Sequence, residues 1–329
     1  MRVYSKGKLR TDLAAGQVYP RYDLASLTKI IFTTTYLMHR SSHHPSRETL
    51  DLDRSLSIDL PWIKSRSLTG RRCLMHHSGL NWWEPFYKSM DLDKPRELRW
   101  LSLQKILCPK PVRQKPKSVY SDLDFLVLGH WIEFLAQKPL LDCWREIQAQ
   151  WGLEDIEFHV DNTPTQARSH YAPTEDCPWR KKILQGEVHD ENAWSIGGVA
   201  PHAGLFGTMD DVSKWALEIR RTLLEPEKST GFVDTKVLAA YSKRAFPASV
   251  GDWGLGFMKP TKGRASCGRY FGPKSFGHTG FTGTSIWFEP QKDIVVVILS
   301  NRVHPTRENK KFIEVRPQIH DLVCKELAQ

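Results

Sequence analysis

The segment Asp293-Ile-Val-Val-Val-Ile-Leu-Ser300 constrains the fold more than any other stretch. A nearly continuous apolar run of strand length has no solvent face, so it predicts a strand covered on both sides. Upstream, Gly277 to Glu289 alternates small and large residues in strand fashion, and Pro290-Gln291-Lys292 supplies a turn between the two. Together they predict an antiparallel hairpin, with Lys310 to Leu327 as a helix covering the sheet. Residues 1–22 read as short strand pieces around a Lys6-Gly7 turn.

Between these ends the period changes. Leu27, Ile30, Ile31, Leu37 and Met38 fall along one side of a helix predicted over Leu24 to His39, with Asp23 as its cap and His43 to Pro45 as its end. Further helices are predicted over Ser121 to Ala136 and Asp210 to Leu224. Residues 46–118 read as short helical pieces among loops rich in Pro, Ser and Trp, and residues 155–205 as irregular. The expected architecture is an α/β fold of the α+β type: an antiparallel sheet flanked by helices, with an inserted helical lobe. The expectation is one domain over residues 1–329, with the lobe at roughly 40–240, the sheet from roughly 1–22 and 250–305, and the last helix at roughly 310–327.

Composition excludes several classes. Hydrophobic residues are 40% and charged residues 26% of 329, which is globular usage rather than disorder or a fibre. No stretch approaches the roughly 20 apolar residues of a membrane span. Residues 1–20 hold Arg2, Lys6, Lys8 and Arg10 without an apolar segment, so no secretory signal is visible and the sequence as written reads as cytoplasmic. The net charge is +10, but the Lys and Arg are scattered, and the clusters Lys110 to Lys117 and Arg180 to Lys182 lack interleaved aromatics. A specific nucleic-acid partner is therefore not expected. The six cysteines form no CxxC pair and no zinc-ligand spacing, and are expected to be reduced and mostly buried.

Three short motifs carry chemistry. In Ser26-Leu27-Thr28-Lys29, residues three apart share a helix face, so a lysine amine stands beside a serine hydroxyl. A serine is a weak nucleophile until its proton is taken, and a desolvated lysine can take it. In Tyr120-Ser121-Asp122, a phenol beside a lysine ammonium is expected to have a depressed pKa and to relay protons. In His278-Thr279-Gly280, small residues on a strand let a substrate backbone approach its edge.

Taken in this order, the motifs resemble the penicillin-recognising serine hydrolases, in the branch holding class C β-lactamases, DD-peptidases and related esterases. Those carry S-x-x-K, then Y-x-N, then K-T-G or H-T-G. Tyr22 to Lys29 (YDLASLTK) looks like the stretch around their nucleophile, and Leu74 to Leu80 (LMHHSGL) is similar to their His-Thr-Ser-Gly-Leu loop. Gly197 to Thr208 resembles the segment before their third helix, and Leu299 to Thr306 their last strand exit. The resemblance spans residues 20–325 and implies a β-lactamase/transpeptidase-like fold.

By that resemblance Ser26 is the nucleophile that forms an acyl-enzyme, Lys29 takes or shares its proton, and Tyr120 is the general base that also activates the deacylating water. The backbone N–H groups of Ser26 and Phe281 form the oxyanion hole. Asp122, His278, Thr279 and Gly280 fall on substrate-binding positions. No metal or organic cofactor is implied, and the substrate is a small molecule or peptide: a peptidoglycan peptide, a β-lactam or an ester. The oligomeric state is not implied. The alternative is a non-catalytic scaffold that keeps the fold and binds a ligand.

Three departures from the family pattern stand out. Asp122 replaces the usual Asn; it either holds Lys29 protonated or turns outward and caps its helix. His278 replaces the commoner lysine, so binding of carboxylate-bearing substrates is expected to weaken as pH rises from about 5 to about 8. Met1 falls inside the first expected strand, which suggests a shortened start; with residues missing, the expectation becomes periplasmic. Elsewhere, adjacent His76 and His77 point apart and read as loop rather than metal ligands. His189-Asp190-Glu191-Asn192 reads as a polar knot that packs its loop, His202 as structural, and the tryptophans mostly as core or helix-interface residues, with walls of a substrate cleft as the alternative for Trp82 and Trp83.

Overall fold

The computed structural model describes residues 1–43, 50–107, 112 and 116–327. Its strands are β1 (Arg2–Ser5), β2 (Lys8–Asp12), β3 (Arg21–Asp23), β4 (Ile156–Phe158), β5 (Asp176–Cys177), β6 (Lys182–Ile183), β7 (Leu205–Thr208), β8 (Phe276–Thr279), β9 (Ser285–Glu289) and β10 (Ile294–Ile298). The main sheet has five antiparallel strands in the order β2-β1-β10-β9-β8. The apolar run is thus its central strand. β10 forms the expected hairpin with β9, in a register that sets Ile294 opposite Glu289 and Ile298 opposite Ser285, and pairs on its other side with β1, Val296 opposite Val3.

Both faces of β10 are covered, which is why its sequence does not alternate. Ile294, Val296 and Ile298 pack with Val3, Trp287, Phe271 and the last helix, Lys311–Glu326, through Ile319 and Val323. Val295 and Val297 face the larger core, where Trp215 of the Met209–Leu224 helix meets Phe288 of β9. The Asp122–Ala136 helix begins at Ser121, whose hydroxyl accepts the Asp124 N–H as an N-cap. The 12-residue helix Arg96–Leu107 is longer than the short pieces read over residues 46–118, and a second 12-residue helix, Leu140–Trp151, follows.

Three expectations need correction. β3 does not join the main sheet; it pairs with β7, which also pairs with β4, so two strands of a separate three-stranded sheet lie inside the region expected to be helical. Residues 250–275 contribute only isolated bridges, such as Met258 with Gly277, and the sheet resumes at Phe276. The helix expected over Leu24 to His39 is instead a run of turns, then a wholly buried π-helix (Lys29–Thr34), then an α-helix (Thr35–Ser42). Asp23 ties loops rather than capping that helix: its two carboxylate oxygens accept the Ala25 and His189 N–H groups, each at 2.8 Å.

The five described cysteines are free and buried, and no described helix is long and apolar enough to cross a membrane. Cys108, His44, Pro45 and most of the Lys110 to Lys117 cluster lie outside the described residues.

Candidate active site

The backbone turns tightly at the nucleophile position. Ala25 has φ +47°, and the Thr28 and Lys29 N–H groups bond three residues back to Ala25 O and Ser26 O, at 3.0 and 3.1 Å. A three-residue turn stacks residues i and i+3, which sets Lys29 directly under Ser26 before the chain widens into the π-helix. The Lys29 ammonium is fully buried and donates to Ser26 Oγ at 3.1 Å, Asp122 Oδ1 at 2.7 Å and the His202 carbonyl at 3.0 Å. Its three protons meet three acceptors. The Tyr120 hydroxyl donates to Ser26 Oγ at 2.8 Å, and Lys29 Nζ lies 4.9 Å from the Tyr120 ring centre. Hydroxyl, amine and phenol are therefore brought together as the spacing predicts.

Their electrostatics differ from expectation. Burial works to lower the Lys29 pKa, but the Asp122 carboxylate and the Tyr120 oxygen outweigh it and hold the amine above its ordinary value. Asp122 thus turns inward and fixes Lys29 as an ammonium; Ser121, not Asp122, caps the helix. Tyr120 is raised, not depressed: burial dominates, Asp122 adds to it, and the Lys29 charge only opposes. The resting phenol is a donor.

The family-like segments prove to be supports. His76, at φ +53°, gives its carbonyl to Val119 N–H at 2.8 Å and its Nδ1 to Ser121 N–H at 3.1 Å, bracketing Tyr120. Because Nδ1 accepts, His76 is neutral, and burial pushes its pKa well down. Its ring packs 4.7 Å from Tyr120 and 4.3 Å from Trp253. Behind Lys29, the Thr33 hydroxyl bonds Pro201 O at 2.6 Å, alongside the Lys29 bond to His202 O.

The β8 motif is placed otherwise than expected. His278 is 1% exposed, its Nδ1 2.8 Å from Thr279 O, its ring against both members of the stacked Tyr120–Trp253 pair. Burial first, and the Lys29 charge second, push its pKa down to about 3. It is neutral between pH 5 and 8, so the expected loss of carboxylate binding across that window does not follow from it. Gly280 has no room for a side chain: a Cβ there would stand 2.1 Å from Thr284 Oγ1 and 2.6 Å from Leu24 O. That close approach is the stitch between sheet and nucleophile, since Thr282 and Thr284 donate to Asp23 O and Leu24 O at 2.8 and 3.1 Å. His278, Thr279 and Gly280 do not line the cavity beside Ser26, whereas Phe281 does. Among the described residues, neither the Ser26 nor the Phe281 N–H bonds an acceptor of this chain, which suits two oxyanion donors.

The cavity encloses about 270 Å³, and its lining includes Trp82, Trp83, Phe281, His189, Asp190 and Glu191, with the His189 ring stacked on Phe281 at 5.5 Å. The two indoles stack at 5.8 Å and line the cleft rather than the core. The polar knot is part of the cleft as well as of its loop. Asp190 caps the short Glu191–Ser195 helix and meets His202 Nε2 at 3.2 Å; burial would raise it, but His202 and the Ala193 N–H hold it well below its usual value. Arg307 was missed in the sequence. It donates to buried Glu175 and to Glu191, at 2.6 Å to each, and nothing in its local pattern signals a cleft position.

The chain matches the family model described as Beta-lactamase over residues 2–317. A protein of Salmonella agona, provisionally named a D-alanyl-D-alanine carboxypeptidase, is 29% identical over 321 residues, covering 88% of this chain and 71% of its own. The penicillin binding protein from Bacillus halodurans shares the fold with a TM-score of 0.70 at 15% identity, covering 98% of this chain and 95% of its own. EstCE1, described as a hydrolase with promiscuous acyltransferase activity, does so with a TM-score of 0.67 at 18% identity, covering 96% and 92%. With the motifs in order, the sheet and helices in the same arrangement, and the family model matched almost end to end, the chain belongs to the β-lactamase family.

Proposed function

We propose that the protein is a serine hydrolase or acyltransferase that cleaves an amide or ester through an acyl-Ser26 intermediate. One observation carries the reading: Ser26 Oγ accepts from both Lys29 Nζ and Tyr120 Oη, so its own proton is left to turn toward the cleft. The resting state is an ammonium paired with a carboxylate. For attack, Lys29 passes a proton across 2.7 Å to Asp122 Oδ1, and the freed amine takes the Ser26 proton as Oγ bonds the carbonyl carbon. The carbonyl electrons move onto oxygen, facing the N–H groups of Ser26 and Phe281. When the carbon–leaving-group bond breaks, Tyr120 gives its proton to the departing atom and becomes a phenolate beside the Lys29 ammonium. In deacylation that phenolate takes a proton from water, water oxygen attacks the ester, and Lys29 returns a proton to Ser26 while recovering one from Asp122. Every proton is restored.

Peptidoglycan peptides, β-lactams and simple esters all suit this machinery, and the relatives' names span hydrolysis and acyl transfer. The test is intact-protein mass spectrometry after a fluorophosphonate probe, with Ser26→Ala alongside. A single adduct that maps to Ser26 and is absent from the variant is expected. No adduct with any phosphonate, ester or β-lactam would overturn the reading in favour of a binding scaffold.

A further inference from the structure

The charges around the cleft are distributed unequally. Asp122, Asp190 and Glu191 line it as carboxylates, and Arg307 is the one Lys or Arg among the described lining residues. That arginine is already claimed: Nε and Nη2 reach Glu175 at 2.7 and 2.6 Å, and Nη2 reaches Glu191 Oε1 at 2.6 Å. Glu175 is buried, and although burial alone would raise it, His189 and Arg307 hold its pKa at about 2. Lys29 is claimed by Asp122 beneath Ser26. On the sheet side, His278 is buried and neutral. Among the described residues, no lysine or arginine that lines the cavity is without a carboxylate partner, so a substrate carboxylate on entering would lose water and face like charge. The aromatic part of the lining has the contrary bias. Trp82 is 60% exposed and stacked on Trp83, and indole faces attract cations.

We infer that the cleft takes acyl donors that are neutral or carry an ammonium, and discriminates against those bearing a carboxylate near the scissile bond. This narrows the acyl-serine reading and rests on it.

Matched aryl esters of 4-carboxy-, 4-carbamoyl- and 4-(aminomethyl)phenylacetic acid test the acyl side. Phenylacetyl esters of 3-hydroxybenzoate and 3-hydroxybenzamide test the leaving side. The carbamoyl and ammonium esters are expected to exceed the carboxylate ester in kcat/KM by about tenfold or more, as juxtaposed like charges require. The gap should shrink in salt. Glu191→Gln, which keeps an acceptor for Arg307 but removes a charge, should narrow it several-fold. Carboxylate esters used as well as or better than their neutral partners, in protein whose Ser26 takes the phosphonate, would overturn the inference and leave the acyl-serine reading standing. An unchanged gap in Glu191→Gln, with phosphonate labelling intact, would overturn the assignment of selectivity to these carboxylates. If neither phosphonate nor ester labels Ser26, both fall together.

Discussion

Asp122 is the residue whose identity matters most to the chemistry, because it decides which proton Lys29 can give away. Removing its charge takes away the strongest influence raising the Lys29 pKa, so the amine sheds its proton at lower pH. Asp122→Asn also lacks the carboxylate that receives the Lys29 proton, so Lys29 must be deprotonated before attack and the acid limb of the kcat/KM profile should lie at higher pH than in the wild type; a superimposable profile would exclude a proton-holding role for Asp122. Lys29→Ala and Tyr120→Phe should each reduce kcat by about 10²–10⁴, the usual worth of positioned acid–base groups. His278 supplies a contrasting expectation. Its pKa of about 3 means it adds no titration to substrate binding between pH 5 and 8, so His278→Asn should leave the shape of that pH profile unchanged. The partners of Ser26 were legible in the sequence because i, i+3 spacing and motif order suffice. The protonation states were not, because burial of Tyr120 and His278 arises from segments far along the chain, such as Trp253, that no local pattern announces.

At the scale of elements, two short turns do most of the positioning. Ser121 sits between Tyr120 and Asp122, accepts Asp124 N–H at 3.2 Å and donates to Asn81 O at 2.7 Å. Ser121→Ala should cost about 1 kcal/mol through the lost cap alone, and more with the second bond, readable as a lower urea midpoint. Gly280→Ala would drive a methyl into the Leu24 carbonyl and Thr284 hydroxyl, so it should destabilise by about 1–3 kcal/mol and also reduce Ser26 labelling. The β9–β10 hairpin could be read from the sequence, β9 from its alternation and β10 from its unbroken apolar run. The π-helix could not: Lys29 to Thr34 reads as ordinary helix, and the wider turn is imposed by contacts such as that of Thr33 with Pro201.

For the molecule as a whole, acid stability follows from its buried imidazoles. Burial brings His278 and His130 down to about 3 and His320 to about 4. These pKa values lie below the unfolded value of about 6.5, so the unfolded chain binds more protons and stability falls as pH drops through that value. Each histidine contributes up to about 1.4 kcal/mol per pH unit until its folded pKa is reached. The urea midpoint should therefore fall between pH 6.5 and 4.5, and His130→Phe, which keeps an aromatic ring stacked 4.0 Å from Trp100, should flatten the decline. The same long view shows why the global arrangement was only partly legible. The sheet and last helix carry their own periodicity, but β3 could not be assigned to β7 rather than to its neighbours in sequence, because that choice depends on pairing across the inserted region.

The hydroxyls of Thr282 and Thr284 gripping Asp23 and Leu24 have a consequence for biosynthesis. Ser26 emerges from the ribosome early, but the threonines that hold the backbone just before it, and Phe281, which lines the same cavity, are translated some 250 residues later. Under the proposed acyl-serine mechanism, a nascent chain thus carries an inert hydroxyl until the distal hairpin closes over it.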